Sequence, residues 1–295
     1  MTRLADLAEL VRAPAALSVP GDVLSGAAAA GALDRRTPAL AGASVLLYWA
    51  GMAANDWADR RLDAVERPER PIPSGRVHPA AALGVAAGLT AAGLAVAGAA
   101  GGRRATAVAV PLAATIWGYD LLAKNTAAGP AVMAACRGLD VLLGASVGPA
   151  RGRGGRDAPP AARGLVRALP AALTVAAHTW TVTALSRREV SGADRRLPRA
   201  TLAGTALVAA TALGRPDLVP MALAAGYAGR YGAAQARVLA DPSPARVRAA
   251  VGAGITGLPA LQGALTARAG ARLLGLAVAT AAPLGRRLAR LISPT

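Results

Sequence analysis

Long apolar runs, almost free of charge, alternate along this chain with short segments that carry nearly all of its charged residues. Nine such runs are legible, at 13–33, 39–55, 79–99, 106–122, 130–147, 165–185, 200–213, 218–234 and 247–265. Most approach the roughly 20 residues that cross a hydrocarbon core of about 30 Å as a helix. The pattern predicts an all-α polytopic membrane protein of about nine transmembrane helices, forming one domain over residues 1–295. A tail at 271–292 begins apolar and then meets Pro283, Arg286, Arg287 and Arg290; it reads as a tenth span or an interfacial helix.

Composition supports that reading. Hydrophobic residues make up 54% of the chain and charged residues 17%, with a mean hydropathy of +0.40, which argues against a soluble globule of this length. Phe is absent, and Ala and Gly dominate the spans, so helix backbones are expected to approach closely. A single cysteine, Cys136, excludes a disulfide within the chain and any CxxC metal site. The N-terminus shows no signal-peptide cleavage pattern, and the first span is expected to serve as the targeting signal.

The net charge is +17, and every basic residue except Lys124 is arginine. The arginines lie in short loops between spans and aromatics amount to 3%, so there is no stacking platform for nucleic acid. Topology, attraction to anionic headgroups and binding of an anionic substrate account for the charge instead. Two loops combine arginine with acids: 57–78 and 186–199. They lie an even number of spans apart and so share a membrane face. The positive-inside rule places that face in the cytoplasm of a multi-pass cell-membrane protein. The Gly/Arg/Pro-rich connector at 149–162, with Arg151, Arg153 and Arg156 on the opposite face, pulls the other way.

The densest chemistry is NDWADRRLD, in which Asn55, Asp59 and Asp63 recur every fourth residue. On a helix that spacing lines three oxygen-bearing side chains along one face, about 6 Å per step. Such a face suits Mg²⁺, a hard cation that keeps several waters and bridges to phosphate oxygens. The plainer reading is a hydrated helix end paired to Arg60 and Arg61, but acids clustered at the end of a membrane span are costly unless they are used. Asp56 falls about 100° from Asn55 and is expected to lie off that face. The segment that follows, RPERPIPSGRV, is stiffened by its prolines. Arg70 and Arg76 in it can reach a diphosphate with paired hydrogen bonds.

NDWADRRLD followed by RPERPIPSGRV, between the second and third of nine helices, resembles the first signature of the UbiA superfamily of intramembrane prenyltransferases. The span count and placement extend that likeness over essentially the whole chain. Tyr119 through Lys124 resembles the family's Tyr-to-Lys segment, whose lysine contacts the prenyl diphosphate; the alternative is a lysine that merely anchors a helix end. The resemblance implies Mg²⁺-dependent transfer of a prenyl group from a polyprenyl diphosphate to a small-molecule acceptor in the lipid bilayer. Asn55, Asp59 and Asp63 would hold the metal, Arg70 and Lys124 would add positive charge, and Asp59, Asp63 and Lys124 would be catalytic. The family's second acidic signature departs here: only Glu189 and Asp194 remain as metal ligands, and five positions of helix turn them about 140° apart. Arginines around them, Arg195 among them, are expected to bind diphosphate in place of the missing acids. Arg12-Ala13-Pro14 and the C-terminal Ile292-Ser293-Pro294-Thr295 resemble the EboC-type branch of the superfamily.

Polar residues inside the spans complete the candidate site. Asp22, without a local partner, is expected to help hold a polar acceptor. His178 reads either as a satisfied core residue or as part of the substrate pocket, with Tyr119. Arg137 and Asp140, at i and i+3, read as a structural ion pair. Two other readings stay open. One is a CDP-alcohol phosphotransferase, whose final aspartate pair Asp59 and Asp63 would match although its Asp-Gly and Ala-Arg elements are missing. The other is a non-catalytic isoprenoid-binding or scaffolding membrane protein.

Overall fold

Proline in the first turn, where its missing N–H breaks no helical bond, opens five of the helices of this chain. The computed structural model describes residues 3–13, 18–148, 161–214 and 216–280. Among these there is no strand. Helix α1 (Leu4–Leu10) is a short preface, followed by α2 (Pro20–Ala30) and α3 (Thr37–Glu66). Helix α4 (Pro79–Gly118) runs into a π-helical turn, Tyr119–Ala123, and then come α5 (Gly129–Ala145), α6 (Ala161–Ser186) and α7 (Arg196–Ala212). Helices α8 (Leu218–Ala240), α9 (Pro244–Arg268) and α10 (Arg272–Ala279) follow.

Helix α4 is two arms, not one rod. Gly102 sits at φ 62°, ψ −154°, a conformation closed to residues with a side chain. Trp117 Nε1 donates to Thr90 Oγ1 at 3.1 Å, whereas 27 residues of continuous helix would hold them about 40 Å apart. The arms are therefore an antiparallel hairpin, and the expected spans 79–99 and 106–122 are both present. Counting the arms separately, α2 to α9 give nine helices at the positions the hydropathy pattern predicts. Three segments, Thr37–Glu66, Pro79–Ala123 and Arg163–Ser186, are each long and apolar enough to cross a membrane. The connector at 149–160 and the tail from 281, with its expected extra span and its EboC-like ending, lie outside the described residues, as does Pro14.

Polarity is distributed as a bilayer demands. Asp22, Asp140, Gln235 and Gln262 are completely buried, while Leu122, Leu173, Leu207 and Leu218 face outward. Two apolar clusters divide the bundle. One gathers α2 to α5 around Leu40, Leu47, Leu112 and Leu143; the other gathers α5 to α9 around Tyr227, Tyr231 and Leu261. Small residues set the closest approach: a Cβ on Gly26 would strike the carbonyl of Val141, and one on Gly144 the carbonyl of Val23. Gly144→Ala is therefore expected to push α2 off α5 and cost about 1–3 kcal/mol, seen as a fall in Tm of the detergent-purified protein. Gly84→Ala, with open space around it, should leave Tm unchanged.

Candidate active site

The last turns of α3 carry the acidic motif past the apolar interior, and each acid meets a cation. Lys124 Nζ donates to Asn55 Oδ1 at 3.2 Å and to Asp59 Oδ1 at 2.5 Å. Asp63, nearly inaccessible, accepts from Arg70 Nη1 at 2.6 Å, and Arg67 approaches it at 3.5 Å. Arg70 also reaches Asp56 at 3.5 Å, and Asp56 takes a 2.7 Å bond from Arg12. The four polar residues thus split into two pairs: Asn55 with Asp59 on Lys124, and Asp56 with Asp63 on Arg70. Helical geometry explains the split, since residues seven apart differ by only about 20° and stack. Asp56, expected off the acidic face, stands beside Asp63. Its spacing carried the signal, whereas nothing local pointed to Arg12, 44 residues away.

Lys124 reaches α3 because the helix before it widens and underwinds. Its backbone N–H bonds to the carbonyl of Tyr119 at 2.9 Å, five residues back, closing a π turn. The same turn aims Tyr119 into the interior and buries Asp120 against Gly51. Asp120 is a further acid that the sequence reading did not single out. The Arg70 segment is held from outside by α1, whose Asp6 and Glu9 accept from Arg76 at 2.9 and 2.6 Å. Arg76 is thereby committed to α1 rather than to the acids of α3. Bonds from the Arg3 backbone and from Arg76 lower the pKa of Asp6.

Below the acids lies a cavity of about 320 Å³ between the two halves of the bundle. Tyr48, Trp49 and Met52 of α3, Tyr119, Arg137 and His178 line it, with apolar residues of α9 closing one side. Arg12 links cavity and acids, donating to Met52 Sδ at 3.8 Å as well as to Asp56. His178 Nδ1 lies 2.9 Å from the Tyr227 hydroxyl, so one ring nitrogen is already partnered. Asp22 is not a free acid. Its carboxylate meets Arg137 Nε at 2.7 Å and accepts from Gln262 Nε2 at 2.6 Å. Arg137 accordingly pairs with α2 and not with Asp140 of its own helix, and Asp140 takes a bond from Ser44 instead.

The α6–α7 loop lies at the same end of the bundle, because Arg187 donates to the carbonyl of Thr126, two residues past Lys124. That loop does not bring Glu189 and Asp194 to the α3 acids. Asp194 accepts the backbone N–H of Leu197 and of Arg196, each at 2.9 Å, and these bonds hold its pKa below the usual carboxylate range. Partial burial raises the pKa of Glu189, whose backbone carbonyl accepts from Arg248 at 2.8 Å. Arg195 is exposed at the start of α7. Among the described residues, no three His, Cys, Asp or Glu side chains are gathered as a ready metal site. Asn55 and Asp59 do converge on a cation, the Lys124 ammonium. Their donor set and spacing therefore fit a hard divalent ion, with Asp63 reaching it only if Arg70 lets go.

Comparison with known proteins agrees with this architecture. The sequence profile of the UbiA prenyltransferase family matches residues 23–253. A digeranylgeranylglyceryl phosphate synthase of Methanothrix thermoacetophila is 43% identical over 95 residues, 31% of this chain and 36% of that protein. The bacteriochlorophyll synthase 33 kDa chain of Cereibacter sphaeroides is 40% identical over 112 residues, 36% of each. The aligned stretch thus spans about a third of these curated relatives. Two solved structures share the fold. One, from work on digeranylgeranylglyceryl phosphate synthase in membranes, has a TM-score of 0.66 at 16% identity, covering 91% of this chain and 99% of the other. The other, an apo UbiA homologue from Aeropyrum pernix K1, has a TM-score of 0.63 at 18% identity, covering 88% and 96%.

Proposed function

The chain belongs to the UbiA prenyltransferase family, and on that premise we propose that it transfers a prenyl group from a polyprenyl diphosphate to a small-molecule acceptor within the membrane, releasing diphosphate. The observation that carries this reading is the meeting of three cations, Lys124, Arg70 and Arg12, with the α3 acids directly above an apolar cavity. The cavity takes the isoprenoid chain, and the charged turns take the diphosphate. Arg70 and Lys124 swing from their carboxylates to the phosphate oxygens, which arginine binds with two parallel bonds and lysine as a point charge. Mg²⁺, held by Asn55 and Asp59 and joined by Asp63, would neutralise the diphosphate as leaving group. The largely apolar lining of the cavity keeps water from the allylic carbon, and Tyr119 and His178 border the space the acceptor enters.

Glu189, Asp194 and Arg195 enter this reading as a flank of the site. With Asp194 held by the start of α7, arginine charge from this loop supplements the metal at the diphosphate. A binder without chemistry is the second reading, favoured by the acids' complete engagement with cations.

Purified protein given a radiolabelled prenyl diphosphate is expected to release diphosphate only with Mg²⁺ and an acceptor-containing lipid extract. Mass spectrometry of lipids from cells with and without the gene should find a prenylated product that disappears. Saturable binding with no release under any of these conditions would establish the binder. The positive-inside rule supports a cytoplasmic position for the acids in this reading. Cysteines introduced at Ala58 or Ala193 in a Cys136→Ala background should resist a membrane-impermeant thiol reagent in intact cells; labelling of both from outside reverses the orientation.

A further inference from the structure

On the outer face of the bundle, helices α8 and α9 leave a groove of about 450 Å³ that is unconnected with the cavity described above. Its floor is made of small residues, Gly229 and Ala233 from α8 and Ala249 and Ala253 from α9. The cavity instead takes Val251 and Ile255 from α9. Two residues of helix is a rotation of about 200°, so groove and cavity lie on opposite sides of α9.

Three arginines border the groove: Arg230, Arg237 and Arg246. All three are exposed. Among the described residues Arg230 and Arg237 meet no carboxylate, and Arg246 has only a 3.5 Å contact with the exposed Asp241. Arg230 is the telling member. It lies ten residues before the end of α8, about 15 Å along the axis, on a face that looks into lipid. A charged side chain at that depth is costly and is expected to serve a ligand or to reach for the interface. Arg237, two turns on, and Arg246, at the start of α9, continue the charge toward the membrane surface. That surface is the one bearing the acidic site, because the α8–α9 turn bonds the α6–α7 loop through Ala193 N to Pro242 O at 3.0 Å.

We propose that this groove binds an anionic phospholipid of the leaflet on the active-site side, its phosphodiester on the arginines and an acyl chain along the Gly/Ala floor. Charge complementarity selects the occupant: three guanidinium groups face one exposed carboxylate, and a phosphodiester supplies both the missing negative charge and acceptor oxygens in the geometry arginine prefers. The small-residue floor supplies the width for a hydrocarbon chain that a zwitterionic lipid would fill equally well, so the preference resides in the arginines. The site needs no prenyl substrate and stands whether or not the transfer reaction does.

The test is native mass spectrometry and Tm of the full chain in neutral detergent, with phosphatidylglycerol, phosphatidylcholine or inorganic phosphate added. Phosphatidylglycerol should be retained and should raise Tm, and the other two should do neither. Arg230→Gln with Arg237→Gln should weaken phosphatidylglycerol about thirtyfold, taking the usual worth of two basic residues at a lipid surface. Arg272→Gln, at the start of α10 where it bonds Asp217 at the opposite end of α8 from Arg237, should leave it unchanged. Should the double variant misfold, Ala253→Leu fills the floor with the arginines intact and should displace the lipid alone. Equal retention of phosphatidylcholine, equal stabilisation by inorganic phosphate, or undiminished binding by both groove variants would overturn the proposal.

Discussion

Asp63→Ala is expected to lower turnover by about a hundredfold to several thousandfold while the protein still inserts and purifies. Asp63 is almost wholly buried and is the near partner of Arg70, at 2.6 Å. Losing one preorganised electrostatic contact at a transition state typically costs about 10²–10³ in rate, and the lost ligand for the divalent ion adds to it. Without Asp63, Arg70 keeps only its 3.5 Å contact to Asp56 and is no longer aimed at the diphosphate. Asp56→Ala should cost distinctly less, because Arg70 retains its short bond to Asp63 and the partner released, Arg12, is part-exposed and solvated. Asp63→Ala combined with Arg70→Ala should cost less than the sum of the two single losses, since the Asp63–Arg70 interaction is removed by either one. Steady-state rates of diphosphate release by the parent protein, by Asp56→Ala, Asp63→Ala and Arg70→Ala, and by the double variant check this. Equal losses from Asp56 and Asp63, or additive losses in the double variant, would show that the pairing has no part in turnover.

The second large effect lies deeper. Arg137→Met leaves Asp22 and Asp140 buried between helices with no cation and is expected to destabilise the fold by about 3–5 kcal/mol. Asp22→Asn should be milder, because Asp140 remains close enough to act on the Arg137 charge and Gln262 Nε2 can still donate to an amide oxygen at that place. Adding Asp22→Asn to Arg137→Met should recover part of the loss by removing one of the stranded charges. Denaturant or thermal unfolding in detergent, followed by circular dichroism, measures the order. If Asp22→Asn is as damaging as Arg137→Met, Asp22 is the indispensable counter-charge of the guanidinium and Asp140 does not stand in for it.

These two predictions rest on pairings with different origins. The Asp56–Asp63 pair is written in a seven-residue spacing, and sequence reasoning passed over it by measuring angles from Asn55 rather than from Asp63. The Asp22–Arg137 pair has no such signature. At i and i+3, Arg137 and Asp140 satisfy the local geometry for an ion pair, yet α2 approaches α5 so closely that Asp22 takes the guanidinium. That approach depends on Gly26 and Gly144, whose missing side chains let backbone meet backbone. Arg76 shows the same limit: its loop suggested a diphosphate ligand, but α1 folds back and claims it through Asp6 and Glu9.

The amino-acid sequence by itself determined the number and order of the spanning helices, the placement of the acidic motif at the end of one of them, and the common face of that motif with Lys124 and the α6–α7 loop. Those properties follow from hydropathy, helical periodicity and the parity of crossings, each of which is local or additive along the chain. The tertiary structure alone decided which carboxylate meets which cation and that a cavity opens beneath the acids. Those depend on how helices rotate and how nearly they approach one another. Both are fixed by side-chain volume at crossings between residues far apart in the chain, and no periodic pattern within a single helix records them.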